Sequence, residues 1–216
     1  MEIKQKIYNL LRWSEKYTKT DMVYLAKGGF WLTLRQVASI ILSLLLVIAF
    51  TNYLSKEVYG TYNFVLSLAK ILAIFTLTGM STSIVQSVAR GYEGSFLPAL
   101  KTKLRWGTLS ILASLGLSGY YFLQENTILA ICFLISACFL PLINSFNLYG
   151  FFLNGQKKFD VQAKYSIITQ IISTTSLIAV LFFTKNLFLL IFTYFFSYTI
   201  LHFIFLKITI KKACPN

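Results

Sequence analysis

The 216-residue sequence predicts an all-α fold, an integral membrane bundle of six transmembrane helices with both termini cytoplasmic, preceded by an amphipathic interfacial helix. Three observations lead there. Hydrophobic residues make up 56% of the chain and charged residues only 12%, with a mean hydropathy of +0.68, whereas ordinary soluble domains carry about 25% charged residues. The apolar residues form continuous runs rather than alternating ones, which excludes a closed barrel. The cations, finally, collect between alternate runs.

Residues 1–29 form a juxtamembrane segment. Ile3, Ile7, Leu10 and Leu11 share one helical face, with Lys4, Lys6 and Arg12 around them and a break at Thr18–Asp21. That pattern suits a helix lying on an anionic inner leaflet, the alternative being a solvated basic tail. The segment holds no apolar core long enough for a cleavable signal peptide.

Residues 30–206 form the membrane lobe. The first run is Trp31–Tyr53, and the second, Tyr59–Thr78, continues with helical spacing through Gly79–Ala89. One bent helix from Tyr59 to Arg90 is therefore expected. The third, fourth, fifth and sixth runs are Trp106–Leu123, Thr127–Leu153, Tyr165–Thr184 and Leu187–Leu206. Each is long enough for a bilayer core of about 30 Å. The fourth needs a tilt or a bend, expected at Pro141, which lacks a backbone donor and crowds the preceding turn. Residues 207–216 are a basic tail.

The net charge of +13 raises nucleic-acid binding as an alternative, and the placement of the cations argues against it. Sixteen of the twenty Lys and Arg fall in the tails or in the second-to-third and fourth-to-fifth connections. Only Lys56 and Lys185 fall on the other side. The positive-inside rule then places both termini in the cytoplasm.

Two cations remain, Arg35 and Lys70, both inside apolar runs. A charge within a span costs about 2.5–3.5 kcal/mol on insertion scales and usually faces a bundle interior or a watery cavity. Lys70 lies ten residues after Gly60, about 15 Å along a helix, and shares a face with Asn63 and Ser67. Arg35 is nearer the boundary, where it either snorkels to headgroups or enters a cavity with Ser39 and Ser43. All seven acids fall in tails or loops, so neither cation has an embedded carboxylate, and an anionic ligand is expected. Milder stripes comprise Ser110, Ser114 and Ser118; Asn144 and Asn147; and Ser166, Gln170 and Ser173. Packing explains the serines, while the amides divide between packing and ligand contact.

Other chemistry is thinly represented. Cys132, Cys138 and Cys214 have no C-x-x-C spacing, and His202 is the one histidine, so no metal, disulfide or cofactor is expected. A six-span intramembrane serine protease would use His202, but its G-x-S-G element is absent, Gly79-Met80-Ser81-Thr82 being the nearest stretch. His202 is expected to be a satisfied polar residue near the end of its span, and the chain is not expected to be an enzyme.

Gly28-Gly29-Phe30-Trp31-Leu32, Arg35, Leu54-Ser55-Lys56-Glu57-Val58-Tyr59-Gly60-Thr61-Tyr62, and Gly79-Met80-Ser81 through Val88-Ala89-Arg90 together resemble the opening of the bacterial polysaccharide and O-antigen flippases. These belong to the multidrug, oligosaccharidyl-lipid and polysaccharide exporter superfamily. Leu153-Asn154-Gly155-Gln156-Lys157-Lys158-Phe159 is similar to that family's loop between its fourth and fifth helices.

The resemblance implies translocation of undecaprenyl-pyrophosphate-linked oligosaccharides across the bacterial inner membrane. Arg35 matches the first-helix cation at the cytoplasmic mouth of such flippases. Lys70 would join it on the pyrophosphate, with Asn63, Asn144 and Gln170 toward sugar hydroxyls. Partners would be the lipid-linked oligosaccharide and membrane lipids, with no nucleic acid. Superfamily members have twelve to fourteen helices in two lobes, so six spans correspond to the first. The other lobe would come from another chain or a second copy, or the product is truncated. A drug/cation antiporter lobe and a non-transporting remnant or assembly factor remain as alternatives.

Overall fold

A computed structural model describes residues 22–213 of the chain. The expected interfacial helix with Ile3, Ile7, Leu10 and Leu11 lies outside the described residues, as does Cys214. Among the described residues, the secondary structure is helical with no strand. The α-helices are α1 (Met22–Tyr53), α2 (Lys56–Leu72), α3 (Gly79–Ala89), α4 (Phe96–Leu123), α5 (Thr127–Phe146), α6 (Leu148–Gly155), α7 (Phe159–Phe183) and α8 (Leu187–Ala213).

Five helical stretches are long and apolar enough to cross a membrane: Ala26–Tyr53, Lys56–Thr76, Thr127–Gly155, Phe159–Phe183 and Leu187–Lys212. Helix α4 has the length, at 28 residues, but Ser110, Ser114, Ser118 and three glycines dilute its apolar run. Those small residues serve packing: α4 and α5 form the most extensive helix pair. Ser110, Ser114 and Ser118 are buried, and the Ser118 hydroxyl donates to the Ala130 carbonyl at 2.7 Å. A Cβ on Gly107 would meet Pro141 Cβ at 2.8 Å. Such close backbone approach supplies the van der Waals contact that must hold helices together where lipid competes equally for apolar surface.

The second run is not the single bent helix expected from its spacing. Helix α2 ends at Leu72 and a 3-10 turn spans Ala73–Thr76. Leu77 is left-handed at φ 53° before α3 begins. The Thr76 hydroxyl donates to the Ala73 carbonyl at 2.6 Å, giving that backbone group a partner outside the α-ladder. In the fourth run helical structure continues through Pro141, whose Cβ packs close against Gly107. The interruption falls at Asn147, where Gly150 N donates to the Asn147 carbonyl in a tightened turn.

Two clusters make the core. One gathers Phe50, Tyr62, Val65, Phe133, Leu177, Leu190, Ile191 and Phe195. The other, nearer the basic connections, joins Ile84, Val88 and Phe96 to Leu148, Phe152, Phe205 and Leu206, with the Phe96 and Phe152 rings 4.5 Å apart. Helix α1 stands to one side and packs chiefly on α7. It leaves Leu34, Val37, Ile41, Leu44 and Ile48 exposed, an arrangement suited to lipid or another apolar surface.

Candidate functional site

The main polar cavity, about 420 Å³, lies between α1, α6, α7 and α8, within the size range of small-ligand pockets. Arg35 and Ser39 enter it from α1, and Tyr149, Gly150 and Asn154 from α6. Gln162, Ser166, Thr169 and Gln170 come from α7, and Tyr198 and His202 from α8. The α7 residues share one face by helical spacing, which puts the sequence-predicted Gln170 on the same cavity lining as Arg35. None of the lining residues is acidic.

Helix α1 is fixed on α7 by that same amide. Gln170 Nε2 donates to Ser39 Oγ at 3.0 Å and to the Ser39 carbonyl at 3.3 Å. Lys164 Nζ lies 5.2 Å from the Trp31 ring centroid, a second tie between the two helices. His202 is buried, with Nδ1 3.3 Å from the Tyr149 hydroxyl.

Lys70 and Asn144 line a different, smaller cavity of about 120 Å³ between α2, α5 and α8. Tyr198 lines both cavities. The structure thus groups Arg35 with Gln170 and Lys70 with Asn144, with Tyr198 common to the two linings. Asn63 is exposed and lies outside both cavities. Its Nδ2 donates to the Tyr59 carbonyl at 3.1 Å, and Asn144 Nδ2 donates likewise to Leu140 at 3.0 Å. In both residues the amide oxygen remains the available acceptor.

Two lining residues are absent from the sequence-based set. Gln162 and Asn154 line the main cavity, and Gln162 Oε1 and Asn154 Oδ1 are buried without a hydrogen-bond partner. Their signal in sequence is weak because they lie across a loop from each other. Lys103, counted among the topology cations, is 4% exposed and donates to Ser81 Oγ at 3.1 Å. Burial lowers its pKa from 10.5 to about 8. Among the described residues, no group of three His, Cys, Asp or Glu converges as a metal site would require.

Five helical stretches of spanning length and apolar composition define a multi-pass membrane protein. Residues 25–214 match the family model described as "Polysaccharide biosynthesis protein", and the chain belongs to that family. No curated protein and no solved structure matches it.

Proposed function

We propose that this protein moves undecaprenyl-pyrophosphate-linked oligosaccharide units across the bacterial cytoplasmic membrane for surface polysaccharide synthesis. It does so by alternating access, without covalent chemistry. The observation that carries this reading is the main cavity: Arg35 supplies positive charge and amides supply hydrogen bonding, with no acid in the lining. In a polysaccharide biosynthesis family, that chemistry suits a pyrophosphate joined to a glycan, and disfavours a cation antiporter.

In this reading α4 also crosses the membrane, as the third of six spans, and both termini are cytoplasmic, so the cationic connections face the leaflet where lipid-linked sugars are assembled. Arg35 attracts the pyrophosphate first, and Lys70 receives it beyond Tyr198. The oxygens of Asn63, Asn144 and Gln170 accept from sugar hydroxyls, while the isoprenoid stays in lipid. The exposed faces of α1 and α2 meet a second lobe, carried by another chain or a second copy.

Deleting the gene from its host should trap lipid-linked oligosaccharide on the inner leaflet and strip the surface glycan. The wild-type chain should restore export, and Arg35→Ala or Lys70→Ala at equal membrane abundance should not. Full export by both variants would overturn the electrostatic reading.

A further inference from the structure

We infer that the second span is a two-state hinge: the joint broken at Leu77 closes into continuous helix, and its closure swings α3 together with α6, which carries one wall of the main cavity. The two states exist whatever the cavity holds. The moving body lies inside this one lobe, so the hinge is distinct from any rocking of whole lobes.

Sequence and backbone conflict at the joint. Helical spacing runs from Tyr59 to Arg90, and Ala73-Ile74-Phe75-Thr76-Leu77-Thr78 contains neither Pro nor Gly, so nothing local in that stretch forbids an α-helix. Leu77 nevertheless takes φ 53°, a left-handed conformation that disfavours a residue with a Cβ by about tenfold. Gly79, two residues on, would take it freely, so the break does not fall where the sequence would form it most easily. Strain of this kind persists only where the surroundings enforce it, and it marks switch segments. Here the surroundings are specific: the Thr76 hydroxyl holds the Ala73 carbonyl, Met80 N restarts the helix on the Leu77 carbonyl at 3.1 Å, and Lys103 Nζ holds Ser81.

Helix α3 cannot turn alone. It and α6 each pack more extensively on the other than on any other helix, with Val88 against the bare Gly155. Past their ends Gln156 Nε2 donates to Glu93 Oε1 at 2.9 Å. Four non-helical joints bound the pair: Leu77 and Gly91, at φ 92°, on α3, and the Asn147 turn and Lys157, at φ 64°, on α6. Leu77 and Asn147 each lie about 30 Å along their spans, counted from Lys56 and Thr127 at 1.5 Å per residue. Paired joints at matching depth let two packed helices turn as one body. Tyr149, Gly150 and Asn154 of α6 line the main cavity, so that turn moves the cavity wall.

The test uses spin labels on the full chain in lipid nanodiscs, with Cys132, Cys138 and Cys214 replaced, read by dipolar EPR. Gln86, Thr108 and Ile168 are exposed, and Asn154 faces the cavity. Two pairs cross the joints, Gln86 with Ile168 and Asn154 with Thr108; Gln86 with Asn154 stays within the moving body, and Thr108 with Ile168 within the frame. Both crossing pairs should show two distances whose weights change together, while the other two pairs keep one each. Leu77→Gly, which removes the left-handed penalty and weakens the continuous helix, should raise the ratio of broken to continuous joint about tenfold. Leu77→Ala keeps the Cβ and should stay within about twofold of wild type, which separates strain from bulk. Thr76→Val frees the Ala73 carbonyl in the break and should shift the ratio a few-fold the other way.

One distance for the crossing pairs in wild type and in every variant would overturn the hinge. So would a Leu77→Gly shift toward the continuous helix, or two distances from α3 with one from α6. These readouts require no export, so loss of the flippase reading leaves the hinge standing, and a rigid second span leaves the flippase reading standing.

Discussion

Lys103 Nζ donates to Ser81 Oγ at 3.1 Å, joining α4 to the start of α3. The lysine is 4% exposed, so one neutral hydroxyl faces a group that in water has a full hydration shell. A buried ammonium with so little compensation is a net cost to the fold. The contact lies just past the left-handed Leu77 and fixes the direction in which α3 leaves the broken second span.

Replacing that charge should therefore stabilise the protein. Lys103→Met keeps most of the volume and is expected to raise stability by about 1 kcal/mol or more at neutral pH, read as a higher melting temperature in detergent. The sign of the pH effect follows from linkage. The folded pKa is about 8 against an ordinary 10.5, so between those values the unfolded chain binds more protons and wild-type stability rises with pH. The gap between Lys103→Met and wild type should narrow from pH 8 to 10.5, and a constant gap would show that Lys103 keeps its proton in the fold.

Lys103 also shows where reading by charge stops. In sequence it is one of several cations in a basic connection, and a topology count treats them alike although one is buried. Lys70 shows the converse. Gly60 to Lys70 is one unbroken helix, as the depth count assumes, but a count along one helix does not register its neighbours, and the residue is exposed beside a small cavity. Arg35, Ser39 and Gln170 were legible because helical periodicity alone orders Arg35 with Ser39 and Ser166 with Gln170. Gln162 and Asn154 were not, since their significance lies in missing partners, a property of three-dimensional packing. The apolar runs located the long helices well, while the breaks at Leu77 and Asn147 depend on local hydrogen bonding that hydropathy does not register.

The approach of α6 to α3 depends on Gly155. A Cβ there would sit 2.7 Å from Val88 Cβ and 3.0 Å from the Val85 carbonyl, and a backbone oxygen cannot swing aside. Gly155→Ala should destabilise the protein by about 1–3 kcal/mol, the usual cost of overpacking. Adding Val88→Ala should recover only a small part of that loss, because it removes the Cγ1 contact at 3.0 Å but keeps the Cβ that makes the closest clash. Melting curves of the single and double variants measure the coupling. Because Asn154 precedes Gly155, the same shift should disturb the mouth of the main cavity.

Gln170 and Ser39 should behave as one unit. Their hydrogen bond joins α1 to a bundle that it otherwise touches chiefly through α7, and such bonds between membrane helices average about 0.6 kcal/mol. Gln170→Leu and Ser39→Ala are each expected to lower stability by about that amount and to add less than independently when combined. Full additivity in the melting temperatures would mean that the two residues act separately, leaving Gln170 free for ligand.

Tyr198 is the shared wall of the two cavities, so removing its ring should join them. Arg35 would then communicate with Lys70 and Asn144 through one continuous polar space. In a background with the three native cysteines replaced, Asn144→Cys should react slowly with a membrane-impermeant thiol reagent applied from the side of the basic connections. Adding Tyr198→Ala should raise the labelling rate about tenfold or more, since thiol reactivity follows access once the thiolate fraction is constant. Tyr198→Phe, which keeps the ring, should label like the parent and so separates the wall from the hydroxyl. Equal rates in the Ala and parent proteins would mean that the barrier between Arg35 and Lys70 lies elsewhere, in the α5 and α8 backbones rather than in this side chain.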